Sequence, residues 1–200
     1  LERDGMVLRG DFADMLPRLK QANLSRELLV RAAKIKGAVL PTAVDATAGL
    51  GQDSLLLAAA GFTVTMFESD PVIAALLQDA LDRAATDPRL EGLVARMTLV
   101  RADSIAALPM VSPVPDVVYL DPMFPERTKS AAVKKKFQLL HHLESPCEDQ
   151  EELLRAALLA HPRKVVVKRP VKGPHLAGVK PSHTVAGKAV RYDCIVPPRP

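Results

Sequence analysis

The sequence predicts a doubly wound α/β fold, a mostly parallel sheet with helices on both faces and an antiparallel C-terminal edge. Three observations predict it. Short apolar runs alternate with helical periods from residue 42 onward, as a parallel sheet with crossover helices requires. A Gly-x-Gly turn, Gly49-Leu50-Gly51, follows the first run, where such folds bring a ligand to the backbone. The last strand-like stretch, 183–196, turns back near Gly187 with no helix between its halves, an antiparallel signature.

Each element has its own local signal. Residues 1–21 show no clear period. Ser25 is placed to cap a helix over 26–35, with Leu28, Leu29, Ala32 and Ala33 on one face. Gly37 and Pro41 end it. Residues 1–40 thus read as a helical lead-in to a main domain over 41–200. The chain opens on Leu1 rather than Met, which suggests a segment upstream. Thr42 to Asp45 reads as a strand, and Asp53 to Ala60 as a helix closed by Gly61. Phe62 to Phe67 reads as the next strand. Pro71 to Ala85 has Pro at its first turn and Ile73, Leu76, Leu77 and Leu81 at helical spacing. Met97 to Arg101 and Val117 to Leu120 are two further strands. Glu148 to Ala160 is an amphipathic helix, and Lys164 to Lys168 a fifth strand. Residues 170–182 are rich in Gly and Pro and read as a loop.

Composition bounds the function classes. Of 200 residues, 48% are hydrophobic and 25% charged, enough for a core and ordinary for a soluble domain. A net charge of +4 is compatible with a phosphate-bearing partner. With no Trp and five Phe, a surface built on many aromatic platforms is not expected. Cys147 and Cys194 form no Cys-x-x-Cys pair, so neither a disulfide framework nor a metal site is expected. No signal peptide is expected, and the apolar stretch around Leu55 to Ala60 is too short to span a bilayer. These features predict a cytoplasmic protein with no membrane partner.

Four strand ends carry the chemistry. Asp45, Glu68 and Asp103 each end a successive strand, as a nucleoside pocket along the sheet edge would need. Gly49 and Gly51 would let a cofactor approach the backbone. Glu68 is placed to accept hydrogen bonds from both ribose hydroxyls, with Ser69 beside it. Asp103-Ser104 is placed to meet a base amino group. The fourth end is Asp121-Pro122-Met123-Phe124-Pro125. Two prolines stiffen this ledge and remove amide donors. Asp121 can accept from an exocyclic amine while Phe124 stacks on the base, a contact of about 1–3 kcal/mol. Such a ledge suits methylation of a nucleobase amine. Arg127, Lys129, Lys134, Lys135 and Lys136 follow it, and Lys164, Lys168, Arg169 and Lys172 flank the fifth strand. Both clusters are expected on the rim, contacting phosphates.

Four stretches together resemble one family, RsmJ, the S-adenosylmethionine-dependent methyltransferases of small-subunit ribosomal RNA. They are Val44 to Gly51, Val117 to Pro125, Lys129 to Lys135 and Val165 to Pro170. The resemblance implies a class I methyltransferase (Rossmann-like) fold. It implies S-adenosyl-L-methionine as cofactor and the 2-amino group of a guanine in 16S rRNA as target. It implies cofactor contacts at Gln52, Asp53, Glu68, Ser69, Asp103, Ser104 and Asp121. The chain departs from the family pattern at Gln52 and Ser69, where the family has Arg, and the family's N-terminal extension is expected upstream of Leu1.

Three rival readings stand beside this one. A nicotinamide-dependent oxidoreductase would want a third glycine where Ser54 stands. A non-catalytic RNA-binding module would leave the Asp121 ledge idle. Methylation of an adenine amine or a protein side chain would keep the fold, but adenine amine methylation usually carries a second proline where Met123 stands. The oligomeric state and the assembly stage of any ribosomal substrate are left open by the sequence.

Overall fold

The computed structural model describes residues 2–3, 6–7, 9–122 and 149–198. Strands β3 (Thr42–Asp45), β4 (Thr63–Phe67), β5 (Met97–Val100), β6 (Val117–Leu120) and β7 (Lys164–Pro170) run parallel. β8 (His183–Ala186) and β9 (Val190–Ile195) close one edge as an antiparallel pair, with β9 against β7. The order is β5-β4-β3-β6-β7-β9-β8. The chain reverses its direction of winding between β3 and β6, the switch at which such sheets bind ligands beyond their C-terminal strand ends. A separate hairpin, β1 (Glu2–Arg3) with β2 (Met6–Val7), precedes the sheet.

The central strands form because they can be buried on both faces. All four residues of β6 are buried. Val117 and Tyr119 enter a core with Leu55, Leu56 and Phe12, while Val118 and Leu120 enter a second with Leu153, Leu154 and Leu176. This is strand alternation with apolar cover on each side. Helix α4 (Gln52–Ala59) packs into the first core, and α8 (Gln150–Leu159) into the second.

Helix starts follow capping chemistry. Asp70 precedes α5 (Pro71–Ala84) and accepts from the amides of Val72 and Ile73 at 2.8 and 2.9 Å. After a short α6 (Glu91–Val94), Asp103 caps α7 (Ser104–Ala107) through the Ile105 amide at 2.9 Å. Gly51 opens α4 at φ +73°.

The lead-in differs from expectation. Instead of one helix over 26–35, the chain forms a 3-10 turn at Phe12–Met15, then α1 (Leu16–Leu19), α2 (Gln21–Leu24) and α3 (Leu28–Ala33). Ser25 ends α2, and its hydroxyl donates back to the Ala22 carbonyl. Glu27 precedes α3 without capping it, because its carboxylate is held by Arg18 at 2.8 Å on both oxygens. Phe12, Met15 and Leu24 are buried, but each turn is too short to display a period. Lys164 fixes α3 to the sheet by donating to the carbonyls of Ala32 and Lys34 at 2.8 and 2.9 Å. Among the described residues no helix is long and apolar enough to cross a membrane, and no cluster of side chains suits a metal ion.

Candidate active site

A cavity of about 880 Å³ opens over the C-terminal ends of β3, β4, β5 and β6. Its walls include Asp45, Glu68, Asp103 and Asp121, so the four strand-end acids meet at one place. Gly49, Gln52, Asp53, Ser69, Ser104 and Pro122 also line it. Residues 123–148 lie outside the described residues, and with them Phe124, Arg127, Lys129, Lys134 and Lys135.

At the β4–β5 end, carboxylates are held by main-chain amides. Glu68 accepts from Gly49 N at 3.0 Å and from Asp70 N at 2.8 Å. Burial raises the pKa of its carboxyl, against the pull of those amides. Each Glu68 oxygen keeps a further lone pair. Phe67, Pro71, Ala102 and Ile105 supply apolar wall nearby.

At the β6–β7 end, carboxylates are held by side chains. Lys168 Nζ donates to Asp121 Oδ2 at 2.7 Å and to Asp53 Oδ2 at 2.8 Å. The Tyr119 hydroxyl donates to the same Asp53 oxygen at 2.6 Å. The Asp121 amide donates to Thr47 Oγ1 at 2.7 Å. Burial raises the pKa of the Asp121 carboxyl above its ordinary value, Lys168 opposes that, and Asp53 adds to it. For Lys168, burial favours the neutral amine, but Asp53 and Asp121 outweigh it and hold the ammonium above its ordinary pKa.

Asp45 lies beneath the join between the two ends. Its oxygens accept from Thr47 N at 3.1 Å and Ser54 Oγ at 2.5 Å. Burial pushes its pKa to about 7, against those two bonds, with Asp53 and Asp121 adding repulsion. One oxygen serves the turn that carries Gly49 and the other holds the start of α4.

Four expectations need correction. Lys164 begins β7, at the end of the strand away from the cavity, and donates to carbonyls of the lead-in, so it is not on the rim. Lys168 is not a rim cation waiting for phosphate; its ammonium is committed to two carboxylates. Arg169 is 1% exposed and donates from Nε to the Pro174 carbonyl at 2.9 Å, so it is no rim contact either. Successive strand residues point to opposite faces, so the pair could not both line one rim. Gly51 does not make room for a cofactor. A Cβ there would meet Leu77 Cδ1 at 2.6 Å and the Phe12 ring at 3.2 Å, so its smallness serves core packing and its positive φ.

Sequence reasoning missed Thr47, Ser54, Tyr119 and Tyr192. A usable signal existed for Tyr119: a tyrosine within a wholly apolar strand implies a partner for its hydroxyl. Tyr192 lines the cavity 6.4 Å, ring to ring, from Tyr119. Arg18 and Asp14 of the lead-in also reach the wall.

The strand order, with a cavity over the C-terminal strand ends, is that of the class I methyltransferase fold. A family model described as "Putative SAM-dependent methyltransferase" matches residues 3–197. The chain belongs to the ribosomal RNA small subunit methyltransferase J family. It is 48% identical over 182 residues to the protein of that name from Thioalkalivibrio sulfidiphilus, covering 90% of this chain and 71% of the relative. It is 45% identical over 198 residues to that of Enterobacter sp. strain 638, covering 96% and 78%. A crystal structure of a SAM-dependent methyltransferase from Neisseria gonorrhoeae superposes with a TM-score of 0.79 at 34% identity, covering 98% of this chain and 78% of that one. The rRNA methyltransferase aviRa from Streptomyces viridochromogenes shares the fold, with a TM-score of 0.58 at 19% identity over 98% and 88% of the two chains.

The cofactor of this family is S-adenosylmethionine, and the donor set fits it. Glu68 and Asp103 offer acceptors for ribose hydroxyls and an adenine amino group, Phe67 and Ile105 offer apolar wall for a flat base, and Asp53 and Asp121 offer negative charge for a sulfonium.

Proposed function

We propose that this chain transfers the methyl group of S-adenosylmethionine to the exocyclic 2-amino group of a guanine in 16S rRNA, as free RNA or within the small ribosomal subunit. The observation that carries this reading is Asp121. It stands at the C-terminal end of β6, beside the switch in strand order. Its main chain is held by Thr47 and followed by Pro122, so its direction is fixed. The names carried by the relatives supply the substrate class.

Bound cofactor supplies an electrophilic methyl carbon, so no strong nucleophile need be generated. The transfer forms an N–C bond, breaks a C–S bond whose electron pair stays on sulfur, and releases one proton from nitrogen. The protein's task is alignment, which can lower a barrier by about 7–11 kcal/mol in favourable cases. Asp121 accepts a hydrogen bond from the amine and turns its lone pair toward the cavity. As the bond forms, the departing proton passes to Asp121 or to water. Phe124, next along the ledge, is the stacking ring in this reading. Arg127, Lys129, Lys134 and Lys135 are its phosphate contacts, which position RNA without reading sequence. The target base must leave its stack, at a cost of a few kcal/mol that is least in loops.

The test is tritiated methyl transfer to 16S rRNA and to small subunits from cells lacking the modification, followed by mass-spectrometric mapping. Label on a guanine 2-amino group is expected. Label on an adenine, or none on RNA, would overturn the assignment.

A further inference from the structure

We propose that Lys168 is a positioning residue of methyl transfer, keeping Asp121 ionised and one of its oxygens turned to the reacting amine, with Asp53 as counter-anchor. The inference rests on the role given to Asp121 above.

The sheet register creates the pairing. Leu120 lies opposite Val167 across the parallel β6–β7 pair, so the next residue on each strand brings Asp121 beside Lys168. The ammonium then spans two carboxylates at 2.7 and 2.8 Å, using two of its three N–H groups. Tyr119, also on β6, fixes Asp53 from the other side. Among the described residues Asp121 Oδ1 accepts no hydrogen bond, while Oδ2 is taken by Lys168. Among the described residues one oxygen of the carboxylate is thus held and the other is open as an acceptor.

Charge explains why a cation is needed there. Around Asp121 stand Asp45 from β3, Asp53 from α4, Tyr119 from β6, Lys168 and Arg169 from β7, and Tyr192 from β9. Three carboxylates in one partly buried cluster cannot all remain ionised without a nearby cation. Lys168 bonds to Asp121 directly, at 2.7 Å. Without it, two opposing contributions to the Asp121 pKa, the charge and the hydrogen bond of Lys168, would be lost, favouring the protonated form, which presents a donor where the amine needs an acceptor. The side chain of Lys168 is 26% exposed, so solvent screens the cluster only in part.

Three variants test this: Lys168→Met, Lys168→Arg and Asp53→Asn. The readouts are kcat and KM for rRNA against pH, cofactor binding by calorimetry, and a carbon-13 NMR titration of the Asp121 carboxyl that needs no substrate. For Lys168→Met, kcat should fall about 100-fold, with the Asp121 titration and the acidic limb of kcat both moving up by about 1–3 pH units. For Asp53→Asn, which removes a negative neighbour, both should move down. Lys168→Arg should restore the wild-type limb. A folded Lys168→Met with wild-type kcat, or with an unmoved Asp121 titration, overturns the inference. If Lys168→Met fails to fold, Asp53→Asn decides alone: a downward move supports the inference, and an unmoved titration ends it. If the titrations move as stated while wild-type protein labels no RNA, the fault lies in the substrate assignment and the tie from Lys168 to Asp121 stands.

Discussion

At the β4–β5 end of the cavity carboxylates are fixed by main-chain amides, and at the β6–β7 end by other side chains. Glu68 is bonded to the amides of Gly49 and Asp70, and Asp103 to the amide of Ile105. Asp121 and Asp53 instead share the ammonium of Lys168. The difference suits two tasks. An amide-held acid is rigid and keeps lone pairs for the hydroxyls of a cofactor. An acid held by a cation has its charge set by that cation, which suits a group that must stay an acceptor while a proton departs nearby.

The largest effect separating the two ends is expected at Glu68. Glu68→Ala removes the acceptors we propose for two ribose hydroxyls, each bond to a charged group being worth about 1.5–3 kcal/mol. Cofactor affinity should fall by about 100-fold or more, read by calorimetry. Glu68→Gln, which keeps one acceptor oxygen, should fall less. An unchanged dissociation constant in Glu68→Ala would remove the β4–β5 end from cofactor binding and break the comparison.

A smaller effect sharpens it at Asp45. The folded state raises this carboxyl from 3.8 to about 7. Below the lower value both folded and unfolded chains hold the proton, and the stabilising difference is fully present. As pH rises toward the upper value only the folded chain keeps the proton, so stability falls. The loss is on the order of 1–4 kcal/mol across that window. Asp45→Asn should flatten this part of the profile, read by urea unfolding at several pH values. Equal slopes in the two proteins would mean that Asp45 titrates as an ordinary carboxylate.

The same contrast explains what could be read from the sequence. Strands β3 to β7 were legible because buried parallel strands are apolar runs. The acids were legible because each stands at the end of such a run or within three residues of it. Asp70 and Asp103 bond amides two residues on, so their capping roles lie within a local window. The β6–β7 cluster was not legible, because Lys168 meets partners 47 and 115 residues away in sequence. Without the register between β6 and β7, a lysine at a strand end reads as a rim cation. Gly51 was misread for a related reason: its neighbours Leu77 and Phe12 come from distant elements. The lead-in escaped because one-turn helices are too short to show a period.

The most direct test of divided labour in this cavity is Asp121→Ala, assayed in one preparation for cofactor binding by calorimetry and for methyl transfer to small-subunit rRNA. The account predicts that turnover is abolished while the cofactor dissociation constant stays within about tenfold of wild type. Methyl transfer at the wild-type rate would contradict it, as would a collapse of cofactor affinity that accounts for the lost turnover.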